Sequence, residues 1–95
     1  MAAYIIATIE VTDPELFETY RAQVSPTIDK HGGKYLVRGG DVEVLEGDQP
    51  ARRTVVLEFE SLEKARGWYY SEDYAGPKEL RIKATESNVM IVNGV

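Results

Sequence analysis

His31 is the only imidazole in the chain and the first candidate for moving a proton near neutral pH. It falls in the last turn of an expected helix, where the plainer reading is that its ring packs on an apolar stripe and favours the negative helix end. Tyr20 lies on the same stripe and adds a phenol. Arg38, just before an expected bulge, shares a face with Leu36 rather than with Tyr35. Facing inward, its planar two-pronged guanidinium would clamp an anion; facing outward, it would pair across strands with Glu58. Arg53 has the same choice, with solvent favoured. Glu58 is a general base only if its face is buried.

Aromatic side chains are numerous for so short a chain: Tyr20, Tyr35, Trp68, Tyr69, Tyr70 and Tyr74. Each joins a large apolar body to a polar tip, which suits a pocket that orients an organic ligand and suits a core or subunit contact equally. Trp68 is the natural anchor of either. The expected ligand-binding set is therefore His31, Arg38, Tyr20, Trp68 and Tyr69, with His31, Tyr20 and Arg38 as the groups able to act in a reaction. No cysteine is present, so no thiolate nucleophile or thiolate metal site exists. With one histidine and no carboxylate at helical ligand spacing facing it, no metal is expected, and no cofactor either. A Gly-x-Ser-x-Gly elbow and a phosphate-binding loop are both absent.

A formal net charge of −5 argues against nucleic acid or an anionic membrane as partner. Lys78, Arg81 and Lys83 form the only candidate basic cluster. The start, MAAYIIATIEV, is too short and too soon interrupted by Glu10 for a signal peptide or membrane span, so a cytoplasmic location is expected.

The elements that must position these groups follow from periodicity. Ala3 to Val11 alternates as a strand. Asp13-Pro14-Glu15 then signals a helix start, with Asp13 as N-cap. Phe17, Tyr20, Val24, Thr27, Ile28 and His31 form its stripe, with a kink or break expected at Pro26 and an end at Gly32-Gly33. In KYLVRGGDVEVLE (Lys34 to Glu46), Tyr35 and Val37 share one face and so do Val42 and Val44. The odd step from 37 to 42 requires an extra residue, which Gly39-Gly40 can absorb as a β-bulge. Gly47 to Pro50 is a turn, and Arg53 to Glu60 a third strand. Ser61 caps a second helix, Leu62 to about Tyr70, in which Gly67 needs some compensation such as a close backbone approach. Ser71 to Pro77 interrupts it, Lys78 to Ala84 adds a turn or two, and Asn88 to Val92 is a last short strand.

This β-α-β-β-α-β order describes one domain, residues 1–95, with the ferredoxin-like α+β architecture: a four-stranded antiparallel sheet carrying its helices on one face. Both faces of the strands are apolar, whereas a sheet with one wet face should be apolar on one side only. A second copy, packed sheet to sheet in a homodimer, is the expected cover, and a bulged second strand suits such a curved sheet.

The runs GGKYLVRGGDVEVLEG (Gly32 to Gly47), VVLEFES (Val55 to Ser61) and WYYSEDY (Trp68 to Tyr74), with the spacing of Asp13-Pro14 and Tyr20-Arg21, resemble the domain-of-unknown-function family 1330 over nearly the whole chain. That resemblance implies a dimeric α/β barrel of two ferredoxin-like subunits and assigns no catalytic residues. Similar barrels include cofactor-free monooxygenases, lactone isomerases and haem-dependent enzymes, a likeness at fold level. Gly76-Pro77 departs from the more helical segment the family implies there. Three functions stay open: a binder of a small acidic or aromatic molecule, a cofactor-independent monooxygenase or isomerase, and a structural dimer without turnover.

Overall fold

A computed structural model describes all residues, 1–95. Seven elements run β1 (Ala3–Val11), α1 (Pro14–Lys30), β2 (Lys34–Gly40), β3 (Arg53–Phe59), α2 (Leu62–Tyr69), α3 (Glu72–Ala84) and β4 (Thr85–Asn93). The strands form one antiparallel sheet in the order β2-β3-β1-β4, and the three helices cover one of its faces. This is the ferredoxin-like α+β fold.

Local chemistry explains the helix ends. Asp13 accepts from the Leu16 amide, and Pro14 occupies the first position of α1, where its missing N–H costs nothing. At the far end the Gly33 amide donates to the Ile28 carbonyl and the Gly32 amide to that of Asp29, with Gly32 at φ +77°. That is a Schellman closure, and it needs a residue that tolerates the left-handed region. Pro26 neither breaks nor ends α1. Its stripe of Phe17, Tyr20, Val24 and Ile28 is buried along the full length, and this packing offsets the one lost hydrogen bond.

The inner rows of the sheet follow from register. Ala3, Ile5, Ala7 and Ile9 of β1 lie opposite Phe59, Leu57, Val55 and Arg53 of β3, and opposite Asn93, Ile91, Val89 and Ser87 of β4. Ala3, Ile5, Leu57 and Phe59 are almost wholly buried beneath the helices. Gly33 owes its identity to this packing. A Cβ there would sit 2.6 Å from a Phe59 ring carbon and 2.9 Å from Ile28 Cγ2, and those side chains are only 1% and 2% exposed. Gly33→Ala is expected to lower the unfolding free energy by about 1–3 kcal/mol in urea titration, because neither neighbour has room to yield. Gly40→Ala, whose Cβ meets nothing within 4 Å, serves as the control. Equal stability of the two variants would show that the Phe59 ring can swing aside.

Several expectations from sequence are corrected. β2 stops at Gly40, and residues 41–52 are not strand. β2 is a sheet edge whose sole neighbour, β3, begins only at Arg53, so Val42 and Val44 have no ladder to join. The expected bulge is present, with a register shift between Arg38 and Gly40 and Gly39 at φ +74°. A second shift, between Tyr35 and Val37, was not foreseen. It turns Val37 outward, opposite Val56, and turns Arg38 inward, opposite Val55 on the face of Tyr35. Arg38 therefore does not share a face with Leu36 in a regular alternation.

The segment from Ser71 is helix, not interruption. Ser71 caps α3 by accepting from the Tyr74 amide, and Glu72 and Asp73 occupy the positive first turn. Tyr74, Pro77, Arg81 and Ala84 recur at helical spacing and are all buried, which holds Pro77 inside the helix. β4 runs longer than expected because it pairs with β1 from Ala3 to Val11 without a fault. No close approach compensates Gly67; an added Cβ would meet open space.

Candidate functional site: a cavity between sheet and helices

Ala7 is the smallest side chain in the middle of the inner sheet face, flanked across strands by Val55 and Val89. Above it the layers do not close. A cavity of about 60 Å³ remains, walled by Ile5, Ile9 and Leu57 below and by Phe17, Tyr20, Val24, Ile28, Trp68 and Tyr74 above. α1 brings Phe17, Tyr20, Arg21 and Val24, α2 brings Trp68 and Tyr69, and α3 brings Tyr74 and Arg81.

The aromatic wall is tightly knit. Trp68 packs on Tyr74 with ring centres 4.1 Å apart and on Phe59 at 5.7 Å, and its Nε1 donates to Thr27 Oγ1 at 2.9 Å. That polar tip is satisfied while the ring stays in the core. Behind it, Tyr20 Oη meets Tyr74 Oη at 3.1 Å, and Arg81 Nε donates to Tyr74 Oη at 3.2 Å. Arg81 Nη1 donates to Ser87 Oγ at 2.6 Å. Burial, and then the adjacent Tyr74 hydroxyl, push the Tyr20 phenol far above its ordinary pKa, so it stays neutral. Burial opposes the charge on Arg81. The Tyr74 oxygen outweighs it, with Tyr20 and Tyr69 beyond, and holds the guanidinium above its ordinary value.

Arg81 is 5% exposed, yet no carboxylate lies within ion-pair distance of it. Arg52 Nε is the one sealed side-chain polar atom without a partner, so Arg81 Nη2, which makes no hydrogen bond within the chain, keeps an accessible surface. At the cavity's mouth stand Arg38 and Arg53, also without carboxylates. Arg38 lies 4.4 Å over the Tyr35 ring and donates to Ser25 Oγ at 3.0 Å; Arg53 lies 5.3 Å over Phe17. Arg21 is beside them, with Glu18 at 3.1 Å.

Of the residues singled out from sequence, Tyr20, Arg38, Trp68 and Tyr69 meet around this cavity, and His31 does not. His31 Nε2 lies 3.1 Å from Asp73 Oδ2 at the helix surface, where Lys30 Nζ binds the same carboxylate at 3.0 Å. The hydrogen bond from Lys30, and then that from His31, hold the Asp73 carboxyl below its ordinary pKa. The contact adds stability above the carboxylate range and loses it as pH falls through the folded-state pKa, weakly because the group is open to water. Glu58 faces outward, 3.0 Å from Lys34, and takes no part in the cavity. Lys78, Arg81 and Lys83 are no surface cluster, because Arg81 is buried in the core. No group of three or more potential metal-ligating side chains occurs.

Arg81 and Tyr74 were missed as site residues, and Arg53, for which solvent was favoured, lines the cavity as well. The signal for the first two was the spacing Tyr74, Pro77, Arg81, Ala84, which becomes visible as a core stripe only if a proline and an arginine are allowed into it.

Comparison with known proteins agrees with this architecture. The model of the family described as "Domain of unknown function (DUF1330)" matches residues 2–95. A protein of unknown function from Rhodopseudomonas palustris superposes with a TM-score of 0.78 at 15% identity, over 99% of this chain and 82% of that one. SnoaB, a cofactor-independent oxygenase from Streptomyces nogalater, gives 0.65 at 11% identity, over 99% and 93%. A putative antibiotic biosynthesis monooxygenase from Nitrosomonas europaea gives 0.61 at 14%, over 100% and 99%. At such identities the likeness is one of fold. No curated protein matches the sequence.

Proposed function

The chain belongs to the family described as "Domain of unknown function (DUF1330)", and we propose that this member binds a small organic molecule in the cavity above Ala7, as a homodimer. The observation that carries the reading is Arg81: a guanidinium buried in an apolar and aromatic chamber, uncompensated by any carboxylate of its own chain. An isolated buried charge is costly, and sites that tolerate one are disproportionately functional. The chamber has the usual make-up of a ligand pocket, apolar walls with few polar groups.

Homodimerisation is supported by the other sheet face. Val37, Val56, Ile6 and Met90 lie side by side across all four strands there, and Met90 is 55% exposed. A sheet face of this kind packs against another at about 10 Å, and a copy of itself is a self-complementary cover.

Thermal unfolding with a panel of aromatic acids and quinones tests the binding. A true ligand at a hundred times its Kd stabilises by about 2.7 kcal/mol, a rise of about 10–20 °C in Tm for a domain of this size. Ala7→Leu, which fills the cavity, is expected to abolish the rise while leaving the circular dichroism unchanged. A panel that shifts nothing, or shifts parent and variant alike, refutes binding at this place.

A second reading, turnover without a cofactor, is favoured by the Tyr20–Tyr74–Arg81 chain. Neutral phenols backed by a fixed cation can stabilise an oxyanion that develops on a bound substrate.

A further inference from the structure

Resting on that binding reading, we infer that the ligand is a one-ring carboxylic acid, its carboxylate at the end of the cavity marked by Arg38, Arg53 and Arg81 and its ring over Ala7. The inference comes from the polarity of the cavity along the strands. The row through Ile9 places Arg53 on one side and Ser87, to which Arg81 is bonded, on the other. With neighbouring strands about 4.8 Å apart, Arg53 and Ser87 stand roughly 10 Å from each other across Ile9. The next row, Val89–Ala7–Val55–Arg38, adds the third guanidinium at the same end. One row further, Ile91–Ile5–Leu57–Tyr35 is apolar and aromatic, and beyond it Ala3 and Phe59 are sealed. The cavity thus has a cationic end and an oily end. Only an amphiphilic anion satisfies both.

The charge is notable in this chain, whose acidic residues outnumber its basic ones by 16 to 11. Four arginines nevertheless line this one cavity, and only Arg21 has a carboxylate beside it. Guanidinium favours planar, two-oxygen anions because its N–H groups meet both oxygens at once, which selects a carboxylate over an alcohol or amide. Size sets the body of the molecule. The enclosed space of about 60 Å³ is below the about 150 Å³ of a cavity that holds a whole benzene ring, so the body of the molecule is one ring at most, seated partly in the open mouth. The walls of Phe17, Tyr20 and Trp68 favour that ring being flat.

Isothermal titration of the full chain with benzoate, benzamide and 2-naphthoate tests the inference. Benzoate is expected to bind about tenfold or more tightly than benzamide, since each charge-assisted hydrogen bond outweighs its neutral counterpart. It should also bind about tenfold more tightly than 2-naphthoate, whose second ring has no space. Arg38→Gln and Arg53→Gln, both solvent-exposed and safe for folding, should each weaken benzoate by about fivefold and leave benzamide unchanged. Benzamide or 2-naphthoate binding as well as benzoate, or benzoate indifferent to both substitutions, overturns the class of ligand while leaving a small-molecule site standing. Failure of all three probes to bind overturns this inference. If the broader panel also shifts nothing in the thermal assay, the binding reading falls with it.

Discussion

Trp68→Ala is expected to remove about 3–5 kcal/mol of folding free energy, the range for truncating a buried tryptophan. Trp68 is 3% exposed and touches the sheet through Phe59 and both other helices through Tyr74 of α3 and Thr27 of α1. No other side chain joins all those layers by both stacking and a hydrogen bond. A chain of 95 residues has a total stability of about 5–14 kcal/mol, so the loss takes a large share. Trp68→Phe separates the two contributions. It keeps one ring against Phe59 and Tyr74, deletes the bond to Thr27 Oγ1 and gives up only part of the buried ring volume. That hydroxyl also donates to the Val24 carbonyl at 2.6 Å, so it is not orphaned, and the expected loss from the missing bond is about 1 kcal/mol. Urea unfolding followed by circular dichroism, at fixed protomer concentration, measures both. An alanine variant within 1 kcal/mol of the parent would show that the aromatic wall is not what ties the helices to the sheet.

The second large effect is on assembly. Ile6→Lys is expected to raise the dissociation constant of the proposed dimer by about 30- to 1000-fold, the 2–4 kcal/mol of a central interface position. Ile6 occupies the middle of the outer apolar row, directly between Val56 and Met90. In a lone subunit a lysine there reaches water at little cost. Between two sheets it would be desolvated without a partner. Sedimentation equilibrium should give twice the chain mass of 10.7 kDa for the parent and a single chain for the variant. Glu63→Lys, an exposed change on α2, should leave the dimer intact. A monomeric parent at micromolar concentration removes the dimer. A variant that stays dimeric moves the contact to another surface.

The order of the four strands, the Asp13 and Ser61 caps, the glycine closure of α1 and the place of a bulge at Gly39-Gly40 were legible in residue order, because each depends on neighbours within a few positions, whereas the start of α3 at Glu72 was not. Two apolar sheet faces were legible for the same reason: alternation along a strand is a local property. The length of β4 and the early end of β2 were not, since a strand persists only where a partner runs beside it. The face of Arg38 depended on a second register shift that no glycine announced. His31, the group best suited by its chemistry, lies away from the cavity beside Asp73, whereas Arg81, the most buried charged group in the cavity wall, resembled one of three surface cations. Residue order therefore determined that four strands form, where the first two helices begin and which of their faces are oily. Where those faces leave a gap, and which charges end at its rim, was decided only when helices and sheet packed, because a void and its lining belong to residues distant in the chain and no local periodicity records them.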